Sequence, residues 1–248
     1  NAPKVEKQII SFKNGLAELP QLLVAALGEA VHANVSISSI QKIRAGWRVD
    51  WNGKTHIYDE VLLTTPAHAL NKLPLDESLQ KALQPLLKIN YSPVSVLTLA
   101  FKQSDVDHPL DGFGVLVPEY EGRKILGVLF PASLFASRVP AGEVLLTVFL
   151  GGERQAELAV PDKDTLLATV LPELKELFGT TGEPTFSHHR HWPRAIPQYN
   201  LGYGKMLAQM DAIEKKFAGL KLAGNYRDGI SLSYCIEAAV SKEGHLIA

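Results

Sequence analysis

The stretch LAGNYRDGISLSYCIEAAV (Leu222–Val240) guides the interpretation of the whole chain. A short apolar run reaches Gly224, crosses a polar turn, passes Gly229 and enters an apolar segment with helical spacing. Glycine allows close backbone approach and positive φ angles, and the first N–H groups of a helix have no intrahelical partner. The stretch therefore predicts a helix N-terminus whose free amides, those of Ile230, Ser231 and Leu232, face a phosphate, a carboxylate or an electron-rich ring edge. The alternative is an ordinary strand–loop–helix connection with Ser231 as the N-cap.

Composition limits the classes of function. The chain has 248 residues, of which 46% are apolar and 21% charged, so it can bury one large core or two smaller ones. Lys and Arg number 25 against 26 Asp and Glu, and this balance predicts no nucleic-acid partner. A single cysteine, Cys235, excludes an intrachain disulfide framework. The clustered histidines His188, His189 and His191 lack an HExxH pattern, so no metal site is predicted.

The first quarter of the chain reads as mixed α and β structure. Residues 8–12 predict a short strand and residues 14–28 a helix that Gly28 ends. Two alternating segments, residues 31–43 and 46–59, with turn residues at Asn52–Gly53 in the second, predict a small antiparallel meander. The apolar run EVLLTTPAHAL predicts a buried strand that ends before Pro66, in a sheet covered on both faces.

The middle of the chain reads as mostly β structure. Strands are predicted within 92–101, 112–118, 124–130 and 143–152, and Asp76 and Asp162 are expected to cap two helices. Residues 184–199 predict a strand and a loop, followed by a helix at 203–217, a strand at 220–223 and a helix at 231–240. Pieces of one layered domain thus lie at both ends of the chain, which predicts a discontinuous domain interrupted by another.

Three stretches together resemble the protoporphyrinogen oxidase family of flavoproteins, within the amine-oxidase-like superfamily. SFKNGLAELPQLLVAALG is similar to the family's F-x-G-G-L-x-x-L-P segment, with Asn14 in place of a glycine. HWPRAIPQYNLGY is similar to its I-P-Q-Y-x-x-G-H signature, with Tyr203 where histidine is usual. LAGNYRDGISLSYCIEAA is similar to its terminal motif, with Tyr234 in place of aspartate and Ala239 in place of glycine.

The resemblance implies the fold class, α/β and α+β. A partial, discontinuous Rossmann-like FAD-binding domain would comprise residues 1–72 and 196–248, and a mixed or antiparallel β-sheet substrate domain with helices would comprise residues 73–195. The family's GxGxxG lies near the N-terminus of the complete protein. The chain is therefore expected to be a C-terminal half that binds FAD weakly or not at all, and turns over poorly, by itself.

The resemblance also implies the site. Gly224, Gly229 and the amides of Ile230, Ser231 and Leu232 would face the flavin ring and stabilise negative charge at its pyrimidine edge. Ile37, with Val35 beside it, would pack near the adenosine half of FAD, and Thr65 and Pro66 would lie beside the cofactor. The walls of the porphyrinogen pocket would be Phe113, Leu116, Leu129 and Phe149.

The implied activity is oxidation of a porphyrinogen with FAD and oxygen in heme biosynthesis. The expected location is cytoplasmic, and peripheral contact with the inner membrane, the oligomeric state and the choice between protoporphyrinogen and coproporphyrinogen are left open. Alternatives are another superfamily enzyme, such as an amine oxidase or a carotenoid desaturase, and a non-catalytic tetrapyrrole-binding module.

Overall fold

The computed structural model describes residues 9–246, with side chains described through residue 241. The helices are α1 (Glu18–Leu27), α2 (Glu77–Leu83), α3 (Pro131–Leu134), α4 (Lys163–Phe178), α5 (Gly204–Lys216) and α6 (Leu232–Leu246). The strands are β1 (Ile37–Ile43), β2 (Gly46–Trp51), β3 (Lys54–Tyr58), β4 (Val61–Leu63), β5 (Tyr91–Lys102), β6 (Gly114–Leu116), β7 (Gly127–Leu129), β8 (Glu143–Gly151), β9 (Phe186–Pro197) and β10 (Leu220–Leu222).

The two ends of the chain share one hydrophobic core. Strands β1, β2 and β3 form the antiparallel meander expected from the sequence, and β4 pairs in parallel with β10. Trp47 and Leu70 from the first part of the chain pack in the same cluster as Met210 and Tyr226, and all four are fully buried. A parallel pair requires a long crossover, and here residues 64–219 supply it.

The middle of the chain forms an antiparallel sheet in the order β6-β7-β8-β5-β9. Helix α4 covers one face of this sheet, and Asp162 caps it by accepting hydrogen bonds from the N–H groups of Asp164 and Thr165, both at 3.0 Å. Side chains alternate between the faces of a strand, so α4 contacts one half of them. Its core residues are Leu166, Val170, Leu174 and Phe178, packed against Leu97, Leu99, Leu146 and Val148.

Two expectations about the first part of the chain are wrong. Residues 9–12 form no strand, and Ile9 and Ile10 are 57% and 78% exposed, because no neighbouring strand pairs with them; residue 8 lies outside the described residues. In β4, Leu63 is buried but its neighbour Leu62 is 40% exposed. The two-stranded β4–β10 pair is therefore covered on one face, not on both.

Helix α1 is present as predicted, yet none of its residues is buried, and Leu22, Leu23 and Leu27 are all more than half exposed. The helical spacing of the apolar residues thus predicted α1 correctly, but no other described part of the chain packs over its apolar side chains. Within residues 9–246, no helix combines the length and the apolar character that a membrane span requires.

Candidate functional site

The carboxyl ends of β4 and β10 lie side by side. The N–H of Ala223 donates to the carbonyl of Leu63 at 3.0 Å, which places the turn after β10 against the connection after β4. A Cβ atom added to Gly224 would lie 3.7 Å from the carbonyl oxygen of Thr64. The structure thus brings the Thr65–Pro66 connection next to the glycine turn. In open α/β sheets, ligands bind outside the carboxyl ends of parallel strands.

The turn between Gly224 and Gly229 is closed by its own hydrogen bonds. The carbonyl of Gly224 accepts from the N–H groups of Arg227 and Asp228, and the N–H of Gly224 donates to the Asp228 carboxylate at 3.0 Å. Gly229 has φ +116°, and a Cβ atom there would lie 2.8 Å from the Cβ of Tyr234. Both the φ angle and the close approach of α6 require glycine at this position.

The N-terminus of α6 has free donors. Three successive N–H groups, those of Ile230, Ser231 and Leu232, have no hydrogen-bond partner among the described residues. Ile230 and Leu232 are about half exposed, so a ligand can reach these amides. The Ser231 hydroxyl accepts from the N–H of Tyr234 at 3.2 Å and so caps the helix. The N-cap of the alternative interpretation and the presentation of free amides therefore occur together.

Two stacked tyrosines hold this turn in place. The Tyr199 hydroxyl donates to the carbonyl of Asn225 at 2.6 Å and accepts from the N–H of Gly229 at 3.2 Å. The Tyr203 ring lies 4.4 Å from the Tyr199 ring, and its hydroxyl donates to the carbonyl of Tyr226. Burial raises the pKa of both phenols, so each remains a hydroxyl that can donate at neutral pH. Both belong to the PQYNLGY segment, and sequence reasoning did not assign them this role.

Arg227 attaches the same turn to α5. Its guanidinium contacts the carboxylates of Asp211 at 2.8 Å and Glu214 at 2.9 Å, and it is largely shielded from solvent. Glu214 also accepts from the N–H of Leu222 at 2.7 Å, at the end of β10. The strand, the turn and α5 are therefore connected through one ion-pair group.

The sheet of the middle segment carries an open apolar pocket of about 440 Å³ on the face opposite α4. Leu116, Leu129 and Phe149 line it, as the resemblance implies. Phe113 does not: it precedes β6, is 49% exposed, and its carbonyl accepts from the N–H of Phe130 at 3.0 Å. Val115 also lines the pocket, as do Trp192, Ala195 and Ile196 from the segment before Tyr199. Sequence reasoning missed Val94 and Val96, which line the pocket from β5. The alternation of apolar residues along β5 was the signal that could have identified the two valines.

Other predicted residues lie apart from these features. Ile37 opens β1 of the meander opposite Trp51, and Val35 lies two residues before that strand, outside it. A second concavity, of about 530 Å³, is mainly polar and includes His68, Lys72 and Arg194. Its lining does not suit a flat apolar ligand.

The histidines on β9 have a structural arrangement. His189 and His191 share a face, as expected, and their rings lie 2.9 and 3.4 Å from the buried Ser95 hydroxyl. That hydroxyl donates to the carbonyl of Ala159 at 2.6 Å, so its proton is already engaged. Burial, then the neighbouring His191 and His188, lowers the pKa of His189. Among the residues with described side chains, no group of three or more His, Cys, Asp or Glu could hold a metal ion.

Comparisons with known proteins identify the family. The family model described as "Flavin containing amine oxidoreductase" matches residues 3–242. The mitochondrial protoporphyrinogen oxidase of Nicotiana tabacum is 37% identical over 185 residues, which cover 73% of this chain and 37% of the relative. Protoporphyrinogen oxidase 2 of Arabidopsis thaliana is 33% identical over 241 residues, covering 91% of this chain and 47% of the relative.

A solved structure shows the same fold. A protein of Exiguobacterium sp. 255-15, assigned to protoporphyrinogen oxidase, superposes with a TM-score of 0.77 at 22% identity, over 95% of this chain and 51% of its own. The chain spans about half the length, or less, of the curated relatives it matches. The fold class, with its partial FAD-binding domain and antiparallel substrate domain, and the prediction of a flavin cofactor are confirmed at the level of the family. The chain belongs to the flavin-containing amine oxidoreductase family.

Proposed function

We propose that the complete protein is an FAD-dependent oxidase that converts a porphyrinogen to a porphyrin in heme biosynthesis, with oxygen as the electron acceptor. One observation carries the proposal: a chain of this family, 33–37% identical to two protoporphyrinogen oxidases, combines an open apolar pocket with an accessible helix N-terminus. Amine oxidases and carotenoid desaturases belong to the alternatives, but no feature of the described residues favours them over a porphyrinogen enzyme.

The cofactor residues are those at the glycine turn. The amides of Ile230, Ser231 and Leu232 would donate to the pyrimidine edge of the flavin, and the positive end of the α6 dipole would stabilise negative charge there. Gly224 and Gly229, both with positive φ angles, would contribute by giving the turn the conformation that presents these amides. FAD, when bound, supplies the acceptor for the hydrogen and electrons taken from the substrate.

Further cofactor contacts come from the remaining predicted residues. Thr65 and Pro66 would flank the cofactor at the carboxyl end of β4, which adjoins the glycine turn. Ile37, at the start of β1, and Val35, just before that strand, would pack near the adenosine half. No described contact joins those two residues to the turn, so they depend on the family resemblance alone.

The substrate residues orient a flat apolar macrocycle and exclude water from it. Leu116, Leu129 and Phe149 would contact the tetrapyrrole. Phe113 does not line the pocket, so its contact with the substrate depends on the family resemblance alone. The pocket lining contains no acidic, basic or hydroxyl side chain. These residues would therefore contribute by positioning the substrate, since they offer no group for proton transfer.

This proposal includes a division of the chain into two parts. The cofactor part comprises residues 1–72 and 196–248, and the substrate part comprises residues 73–195. The support for this division is the presence of two separate cores, one joining residues 40–91 with 210–226 and the other within residues 97–178. Residues 75–91, which the proposal places in the substrate part, pack in the first of these cores, so the cores support the division but not a boundary at residue 73. The cytoplasmic location, with peripheral contact at the inner membrane left open, also stays a prediction.

The test is porphyrinogen oxidation by the protein expressed from its complete reading frame. Chemically reduced porphyrinogen is not fluorescent in the visible range, so formation of fluorescent porphyrin, with FAD dependence and oxygen uptake, supports the proposal. An FAD-loaded protein that forms no porphyrin, or that oxidises amines instead, contradicts it.

A matched pair of variants connects the activity to the pocket. Phe149→Ser removes a pocket wall and should raise the KM for the porphyrinogen. Leu201→Ser changes a fully exposed leucine outside the pocket and should leave the KM unchanged. Equal KM values for both variants would place the substrate elsewhere.

A further inference from the structure

One cationic side chain lies on the same face as the apolar pocket. In the β5–β9 pairing, Arg190 is opposite Val96 and Trp192 is opposite Val94. Val94, Val96 and Trp192 all line the pocket. Side chains two residues apart on a strand share a face, so Arg190 lies on the same face of β9 as the pocket residue Trp192.

The contacts of Arg190 leave its donors available. Its guanidinium carbon lies 4.6 Å from the centre of the Trp192 ring, a cation–π contact that directs the group over the aromatic wall of the pocket. No carboxylate forms an ion pair with it among the residues with described side chains, and the residue is exposed. Arginine presents five N–H donors in a planar fork that fits a carboxylate, and stacking on tryptophan does not use those donors.

The pocket needs such a group if its ligand is a tetrapyrrole. Porphyrins and porphyrinogens carry propionate carboxylates on the rim of an apolar ring, and a carboxylate held against apolar surface is unfavourable unless it is paired. The lining residues supply no cation for this purpose. Arg190 precedes the pocket residue Trp192 on the same face of β9. Arg194, on the same strand, lines the polar concavity instead.

We infer that Arg190 binds a propionate carboxylate of the tetrapyrrole, while Trp192 contacts the ring and fixes the position of the guanidinium. This inference rests on the proposed function, because it assumes a tetrapyrrole in the pocket. It adds a residue that selects carboxylated tetrapyrroles over uncharged ones.

The experiment measures porphyrin binding by the purified protein, by fluorescence, with protoporphyrin IX and its dimethyl ester as probes in the same detergent buffer. Arg190→Gln should weaken binding of the diacid about tenfold, as expected for loss of one charge-assisted hydrogen-bonded pair, and leave ester binding unchanged. Arg190→Lys keeps the charge without the fork and should recover part of the affinity. Arg44→Gln, an exposed arginine in the β1–β2 turn, is the control and should bind both probes like the unaltered protein.

The outcomes separate the inference from the proposed function. If the unaltered protein prefers the diacid and Arg190→Gln abolishes the preference, the inference stands. If the unaltered protein binds the diacid and Arg190→Gln binds it equally well, the inference is wrong while the tetrapyrrole pocket stands. If the unaltered protein binds neither porphyrin, both the proposed substrate and the role of Arg190 are refuted.

Discussion

Gly229→Ala is the substitution that probes the glycine turn most closely. The residue has φ +116°, and the new Cβ would lie 2.8 Å from the Cβ of Tyr234 and 2.9 Å from two atoms of its ring. Backbone conformations of this kind destabilise a folded protein by about 1–3 kcal/mol when a side chain is present. Because the nearest contact is a Cβ atom and not the end of a flexible side chain, α6 or the turn must shift. We expect the free energy of unfolding to fall by about 1–3 kcal/mol.

The matched control is Gly204→Ala at the start of α5. Gly204 has no atom within 4 Å of an added Cβ and has an ordinary φ angle. Alanine favours helix over glycine, so stability should be unchanged or rise by up to about 1 kcal/mol. Urea denaturation followed by circular dichroism measures both variants, and similar m values ensure that the same transition is compared. If Gly229→Ala unfolds at the same urea concentration as the unaltered protein, the turn does not require glycine at this position and the reasoning is refuted.

The same variant has a functional consequence in the complete protein. A displaced turn moves the amides of Ile230, Ser231 and Leu232 away from the position in which they would face the flavin. A loss of about 1.4 kcal/mol in binding free energy weakens affinity about tenfold. Titration of the apoprotein with FAD should show a weakening of this size for Gly229→Ala and none for Gly204→Ala.

Three further predictions concern other contacts. Tyr199→Phe removes the hydroxyl that joins Asn225 to Gly229 and should lower the free energy of unfolding by about 1–2 kcal/mol, whereas Tyr120→Phe, at a highly exposed tyrosine, should change little in the same urea titration. Asp162→Ala removes the cap of α4 and should lower it by about 1 kcal/mol; a variant as stable as the original would show that the cap contributes nothing. The pKa of His189 is lowered in the folded protein, so as pH falls past 6.5 the unfolded state takes up a proton before the folded state does. The free energy of unfolding should therefore decrease as pH falls through this range. In His189→Asn the melting temperature should change less between pH 7 and pH 5 than in the unaltered protein. The charge of Asp162 raises the pKa of His189 and so opposes the effect of burial. If the melting temperature of His189→Asn depends on pH as steeply as that of the unaltered protein, His189 makes no such contribution.

Local patterns predicted most of the regular structure. The alternating residues before and after Asn52–Gly53 gave the meander, and both residues of that turn adopt positive φ angles. Asp76 and Asp162 cap the helices that follow them, because capping is decided within four residues of the chain. The prediction of a strand at residues 9–12 was wrong, because an apolar run becomes a strand only where another strand pairs with it.

The candidate site depended more on contacts distant in sequence. The glycine turn and its free amides were evident in the sequence, since glycine spacing and a helix start are local features. The tyrosine contacts were not, because Tyr199 meets Gly229 across 30 residues. Ile196 lines the pocket beyond a register shift in the β5–β9 pairing between Ser92 and Val94, and no local pattern reports such a shift.

The most direct test of the central claim is the visible absorption spectrum of the purified protein from the complete reading frame, before and after addition of FAD. We expect bound flavin in the unaltered protein and reduced flavin content for Gly229→Ala, measured at equal protein concentration. A full-length protein that is colourless and takes up no added FAD would contradict the assignment of the α6 N-terminus as a flavin site.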